Sequence, residues 1–290
     1  MYQLIKIAIR NLLRYRRRTI LTASLITIGV VFVLVFVAIS GSFKTMMIGQ
    51  VTDSFLGHIQ IHKKGYVASI DSLPLTMNLN STAIEKIQKI ISEIPEIEAF
   101  SMRIKFGGMF SNFVETTNIR LNGIYPDKEI NTVPLLPTRI KEGSRTIKKG
   151  EMFVPELLAR GMKVKVGDPI VIVATNRDGS VNGKQLRVGG IIESATGPGG
   201  RDGYIHIEDA KEILRLKELE ISEIALRLTD FKFLDQVFTK LNDTLSKELT
   251  KQGKPAFEIH TWEKLSPFYN IARMIDVMTF FIRLMLIAIV

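Results

Sequence analysis

The sequence contains no cysteine, so neither a disulfide nor a thiolate metal site is available, and any folded part is held by its apolar core. It has no G-x-x-x-x-G-K-[ST] run, and no Gly-rich turn joins a strand to a helix start, so the chain carries no phosphate cradle of its own. Acidic residues are absent from the first 18 positions, where Lys6, Arg10, Arg14, Arg16, Arg17 and Arg18 supply six of the ten net positive charges. The other 272 residues carry only +4 and offer no basic groove with interleaved aromatics, which argues against a nucleic-acid partner. Charge of either sign is missing from Thr19 to Phe43, 25 residues in a row.

That uncharged run is what the rest of the chain is arranged around. At 1.5 Å per helical residue it reaches about 37 Å, more than the roughly 30 Å of bilayer hydrocarbon. It is too long for the apolar core of a signal peptide and too uniformly apolar for a soluble domain's helix, so it reads as a complete transmembrane helix. Arg16, Arg17 and Arg18 lie directly against it and set the topology, with the N-terminus cytoplasmic and residues 44 to about 272 outside. Residues 1–18 form a basic amphipathic helix at the cytoplasmic headgroup level, with Lys6, Arg10 and Arg14 on one face. Within the span, Thr22, Ser24, Thr27 and Gly29 are small or weakly polar and are candidates for helix–helix packing.

Beyond the span the pattern becomes α+β. Gly57 to His62 alternates, with Ile59 and Ile61 on one face and His58, Gln60 and His62 on the other. His58 and His62 sit at i and i+4, but no third ligand follows at suitable spacing, so this face is expected to be solvated and no metal site is expected. A helix follows from Ser81 or Thr82, with Thr82 and Glu85 as a capping box and a stripe of Ile84, Ile87, Ile90, Ile91 and Ile94 up to Pro95. A strand over Ile97 to Phe110 completes a β-α-β unit. Residues 115–222 are dense in glycine and read as an inserted, β-rich subdomain, with a short helix between Pro155 and Gly161 and a strand and turn over Val164 to Asp168. The loop containing Gly197, Gly199, Gly200 and Arg201 opens onto a strand rather than a helix. It is a surface loop and a candidate partner contact, not a phosphate loop.

Residues 223–266 give a second β-α-β unit: a strand at Ile224 to Leu228, a helix capped by Asp230 with its stripe from Leu234 to Leu249, and a strand at Phe257 to Thr261. Together with residues 44–114 this unit makes one lobe of a two-lobed outer domain, the insert making the other. Residues 267–290 turn back with helical spacing and end in an apolar run that reads as the cut-short start of a second transmembrane helix.

Several stretches, in this order, resemble the permease subunits of FtsX/MacB-like ABC transporters, and most closely the lipoprotein-releasing LolC/LolE branch. They are Ala8-Ile9-Arg10-Asn11-Leu12 with Arg16 to Arg18, Gly57 to His62 with Gly65-Tyr66, Asn122 to Pro126, Lys141-Glu142-Gly143, Glu156 to Ala159 with Val166-Gly167-Asp168, and Trp262. The resemblance implies a bacterial inner-membrane protein with a two-lobed outer domain and four spans. Its implied partners are a second permease copy or paralogue and a cytoplasmic ATPase that binds ATP and magnesium. A lipoprotein or other outer cargo is implied as well. The chain departs from that pattern in having one complete span and part of another, and so resembles the N-terminal part of such a permease. It contains no nucleophile motif and no ligand spacing, so no catalytic residue, cofactor or metal is expected in it. The expected function is mechanotransmission: closure of an ATP-driven dimer inside becomes movement of a domain outside. The alternative is a two-span sensor whose outer domain binds a ligand.

Overall fold

The computed structural model describes residues 5, 10, 12–194, 202–250 and 252–289. The chain divides into two compact units, Met1–Gly49 with Pro267–Val290, and Gln50–Ser266.

The first unit contains helix α1 (Arg16–Val51) as far as Gly49, and helix α8 (Tyr269–Ile289). Among the described residues the helix beginning at Arg16 is the one long and apolar enough to cross a membrane. Arg273, Asp276 and Arg283 interrupt α8. Partial cover on α1 falls on Thr19, Phe36, Met47, Ile48 and Gly49, and on the series Val30, Val33, Val37, Ser40 and Lys44. On α8, Ala272 and Ile275 are buried, and Thr279, Ile282 and Leu286 are partly covered. Both series step by alternating threes and fours, the spacing of a helix–helix seam. Lys44 Nζ lies 2.6 Å from the Asp276 carboxylate and ties the two helices. Thr22, Ser24, Thr27 and Gly29 are all exposed; the Thr22 hydroxyl donates to the Arg18 carbonyl, and Gly29 faces open space. By 3.6-residue geometry Thr22 and Gly29 lie beside the seam, whereas Ser24 and Thr27 point away from it.

The second unit is built on one mixed sheet. Its first strand, β1 (Ile59–Lys63), lies between β10 (Phe257–Thr261) and β9 (Glu223–Leu228), and β9 in turn pairs with β2 (Ile97–Ser111); every pairing is antiparallel. The order β10-β1-β9-β2 interleaves the two β-α-β units, so that each has its strands separated by a strand of the other, the split arrangement of a ferredoxin-like core. Helix α2 (Ser81–Ser92) and helix α6 (Leu234–Leu245) are the two crossovers and touch each other. Their buried stripes are Ile84, Ile87 and Ile91, and Leu234, Val237, Leu241 and Leu245.

The insert continues the same sheet. From β2 the order runs through β3 (Thr116–Ile124), β8 (Asp202–His206), β5 (Glu151–Pro155), β7 (Val181–Ile192) and β4 (Ile140–Gly143), with β6 (Pro169–Thr175) pairing both β2 and β7. Helix α3 (Pro126–Thr132) packs on β2, α4 (Glu156–Gly161) follows β5, and α5 (Ile207–Ile213) follows β8. A separate apolar cluster of Ile124, Val133, Leu136, Ile147, Phe153, Ile192 and Tyr204 holds this region together.

Local details differ from the sequence expectations. Asn80, not Thr82, caps α2, accepting from the Ala83 amide, because the helix starts two residues earlier than the capping box requires. Asp230 accepts from the Lys232 amide and caps a short 3₁₀ turn, Phe231–Phe233, after which α6 runs only to Leu245, leaving Leu249 exposed. Residues 164–168 form a turn and no strand. The largest correction concerns His58, Gln60 and His62. They are 6%, 1% and 0% exposed, because β1 is an inner strand whose polar face is covered by chain segments remote in sequence.

Candidate functional site

α1 is followed directly by a single π-helical turn, Thr52–Leu56, and then by Gly57 with φ +72°. A side chain on Gly57 would approach the Leu226 carbonyl to 2.9 Å, and this backbone conformation disfavours L-residues as well. Glycine therefore lets the chain turn sharply into β1 while resting on β9. π-Turns in helices are rare and recur at functional positions.

The turn is clamped from several sides. The Arg227 guanidinium on β9 lies 2.6 Å from Asp53 and 3.1 Å from Glu98. The Asp53 carbonyl accepts from the Leu135 amide at 2.9 Å. Arg139 stacks its guanidinium 3.8 Å from the centre of the Phe55 ring, donates to the Ser54 carbonyl, and donates to the Glu193 carbonyl at 2.8 Å. Gln60 donates to the Leu56 carbonyl at 2.8 Å. His58 accepts the Leu228 amide on Nδ1, so its proton sits on Nε2, which faces Asp53 at 3.7 Å. Five residues are thus fastened to β1, to β9 and to the segment around Leu135 to Arg139.

Behind the turn lies a buried ion network on the same sheet face. Arg103 on β2 is 2% exposed and lies 2.7 Å from Glu129 on α3 and 2.9 Å from Glu223 on β9. Lys105 approaches Glu223 to 2.8 Å, His62 approaches it to 3.5 Å, and Ser101 donates to Glu129 at 2.5 Å. Burial pushes the Glu223 carboxyl up, but Lys105, His62 and Arg103 together outweigh burial and hold it well below the ordinary carboxylate value. Burial weakens the Arg103 cation, and Glu129 and Glu223 more than restore it, leaving its pKa raised. The network ties α3 and β9 to β2.

Among the described residues no group of three or more His, Asp or Glu is placed to hold a metal. The contacts around Thr52–Leu56 tie that turn to β1, β9 and the Leu135 segment.

A model of the MacB-like periplasmic core domain matches residues 19–248. The chain belongs to the MacB-like periplasmic core domain family. The match begins inside the membrane-crossing helix and extends past α6, so it takes in the π-turn, the clamp and the ion network. No curated protein matches. Two solved structures similar to this MacB-like chain are the periplasmic region of MacB from Actinobacillus actinomycetemcomitans and the extracellular domain of the noncanonic ABC-type transporter YknZ from Gram-positive bacteria. The first has 12% identity, covers 72% of this chain and 92% of that one, and has a TM-score of 0.48. The second has 12% identity, covers 71% of this chain and 99% of that one, and has a TM-score of 0.46.

Arg16, Arg17 and Arg18 occupy the exposed first turn of α1 of this MacB-like protein. Gly197, Gly199, Gly200 and Arg201 lie outside the described residues. Sequence reasoning passed over Asp53, Arg227, Arg139 and the Arg103 network. The signal for Arg103 was its position between Met102 and Ile104 on an otherwise apolar strand.

Proposed function

We propose that this chain is the permease subunit of an ABC transporter of the mechanotransmission type. A partner subunit in the cytoplasm hydrolyses ATP; α1 carries the resulting displacement across the membrane, and the clamped turn passes it into the outer sheet. The observation that carries this reading is the Thr52–Leu56 turn, fastened by Arg227 to Asp53 and by Arg139 to Phe55 and Ser54. An inert anchor needs no such clamp, since a flexible linker would tether the domain equally well. Membership of the MacB-like family and one membrane-crossing helix support placement in the inner membrane with the sheet domain outside. Release of a lipoprotein is the cargo reading carried over from the LolC/LolE resemblance, and pairing with a second permease copy gives the exposed Thr22 and Gly29 face an occupant.

The test is purification of the full-length protein from membranes in mild detergent. An ABC ATPase is expected to co-purify in stoichiometric amount. Spin labels on α1 and on the sheet domain should then change separation between ATP-bound and nucleotide-free states, and Arg227→Ala with Arg139→Ala should abolish that change while the ATPase remains bound. Recovery without any ATPase under every nucleotide condition would overturn the reading.

A further inference from the structure

The outermost strand pair of the sheet, β1 with β10, rests on an unusual electrical arrangement. Fixed charges of both signs crowd the layer beneath it: Arg103 and Lys105 face Glu129 and Glu223, and the more exposed Lys64 faces Glu258. Among these charges sit two imidazoles, His62 with no exposed surface and His260 mostly covered, their ring centres 6.1 Å apart. The Tyr66 ring stacks on His62 at 5.2 Å, nearly parallel. His62 Nε2 lies 3.5 Å from Glu223 and His260 Nε2 lies 3.6 Å from Glu258, so each ring meets its carboxylate only through a long contact.

Protons arriving here would add positive charge to the layer. His62 faces Glu223 from β9, Arg103 and Lys105 from β2, Tyr66 from the following segment, and His260 and Glu258 from β10. His260 faces Glu258 on its own strand at 3.6 Å, Lys264 on α7 (Trp262–Leu265), and His62 across the pair. The two carboxylates that attract protons to these rings are already engaged. Glu223 is held by Arg103 and Lys105, and Glu258 accepts the Val67 amide. A second imidazolium would meet the first at close range in a dry layer, where like charges repel strongly.

We propose that His62 and His260 form a proton-sensitive latch: while both are neutral β10 closes on β1, and protonation loosens this pair while the rest of the sheet holds. The register that would open runs from Ile59 opposite Thr261 to Lys63 opposite Phe257. The position gives the latch its consequence. β1 is the strand that follows the Thr52–Leu56 turn, and β10 is the strand that leads into α7, so the pair joins the chain's entry to the sheet with its exit. Burial lowers the His260 pKa from its ordinary 6.5, with Glu258 opposing. A base that takes its proton later in the fold than in the open chain stabilises the fold above 6.5 and loses that contribution as pH falls.

The experiment is hydrogen exchange of the full chain in detergent micelles at about pH 7.5 and about pH 5.5, corrected for the intrinsic pH dependence of exchange. Amides of β1 and β10 are expected to exchange about tenfold faster in acid, with β5 and β7 unchanged. His62→Gln combined with His260→Gln should remove the difference, and His206→Gln should keep it. Absence of the difference in the natural sequence, or its persistence in the double variant, where His58 would be the remaining histidine on β1's side, overturns the latch. If the double variant does not fold, the imidazole resonances of the natural sequence decide. Titration of the His260 ring with a midpoint below that of a free histidine supports the latch, and a flat His260 resonance across that range overturns it.

Discussion

The two faces of the β10-β1-β9-β2 sheet solve the same burial problem in opposite ways. One face carries Ile59, Ile61, Ile224, Leu226 and Met102, which are buried with the isoleucine and leucine stripes of α2 and α6. Its partners are two regular helices, and its cohesion is non-directional. The other face carries His58, Gln60, His62, Glu223, Arg103 and Lys105, and is covered by short irregular pieces: the π-turn, the segment after Tyr66, α3 and the Phe231–Phe233 turn. There the contacts are directional, so each covering piece has a fixed position set by named partners. The apolar face is suited to holding the domain together. The polar face is suited to registering where its covering segments are.

Removing one member of the polar face should have the largest effect. Arg103→Ala strands two buried carboxylates and is expected to destabilise the domain by about 3–5 kcal/mol, read from denaturation in micelles by the fluorescence of the single, buried Trp262. Replacing Arg103, Glu129 and Glu223 together with apolar residues of similar volume should recover most of that loss but leave α3 less firmly placed. A triple variant as unstable as the single one would break the distinction between the faces. On the apolar face, Leu241→Ala opens a cavity and should cost about 2–5 kcal/mol by the same measurement, leaving the Asp53–Arg227 clamp intact.

Acid should separate the two faces further. The Glu223 pKa is depressed in the fold, so its contribution is fully present above its ordinary 4.5 and disappears as pH falls through its lower folded value. Unfolding midpoints should therefore drop below pH 4.5, and the drop should be shallower in Glu223→Gln; an unchanged slope would remove Glu223 from the account. A smaller effect is expected at the start of α2, where Asn80→Ala deletes the cap and should cost about 1 kcal/mol in the same assay. Smallest of all is the pair between Lys86 and Glu248. Both side chains are more than a third exposed, and a double-mutant cycle should return no more than about 1 kcal/mol.

How far the sequence disclosed this design follows the same division. Alternation and helical spacing located β1, β2, β9 and β10 and both crossover helices, because the apolar face writes a periodic signal. Alternation also showed that His58, Gln60 and His62 share a face. It could not show that the face is covered, since the cover comes from Glu129 on α3 and from segments dozens of residues away. The clamp was invisible for a similar reason: Asp53, Arg139 and Arg227 are ordinary charged residues until the topology brings them together. Gly57 was the nearest local hint, and it reads equally well as a simple turn.

The interleaving of the two β-α-β units also bears on how the protein is made. β1 has its neighbours in β9 and β10, strands that follow it by more than 150 residues, and it pairs with nothing nearer in sequence. As the chain emerges, β1 appears first with both edges open, and must wait for residues 223–261 before either edge is satisfied. Sheets closed by such distant pairing form slowly and leave sticky strands exposed in the interval. Export of this domain therefore has a vulnerable period set by topology, in which its earliest strand needs protection until its last ones arrive.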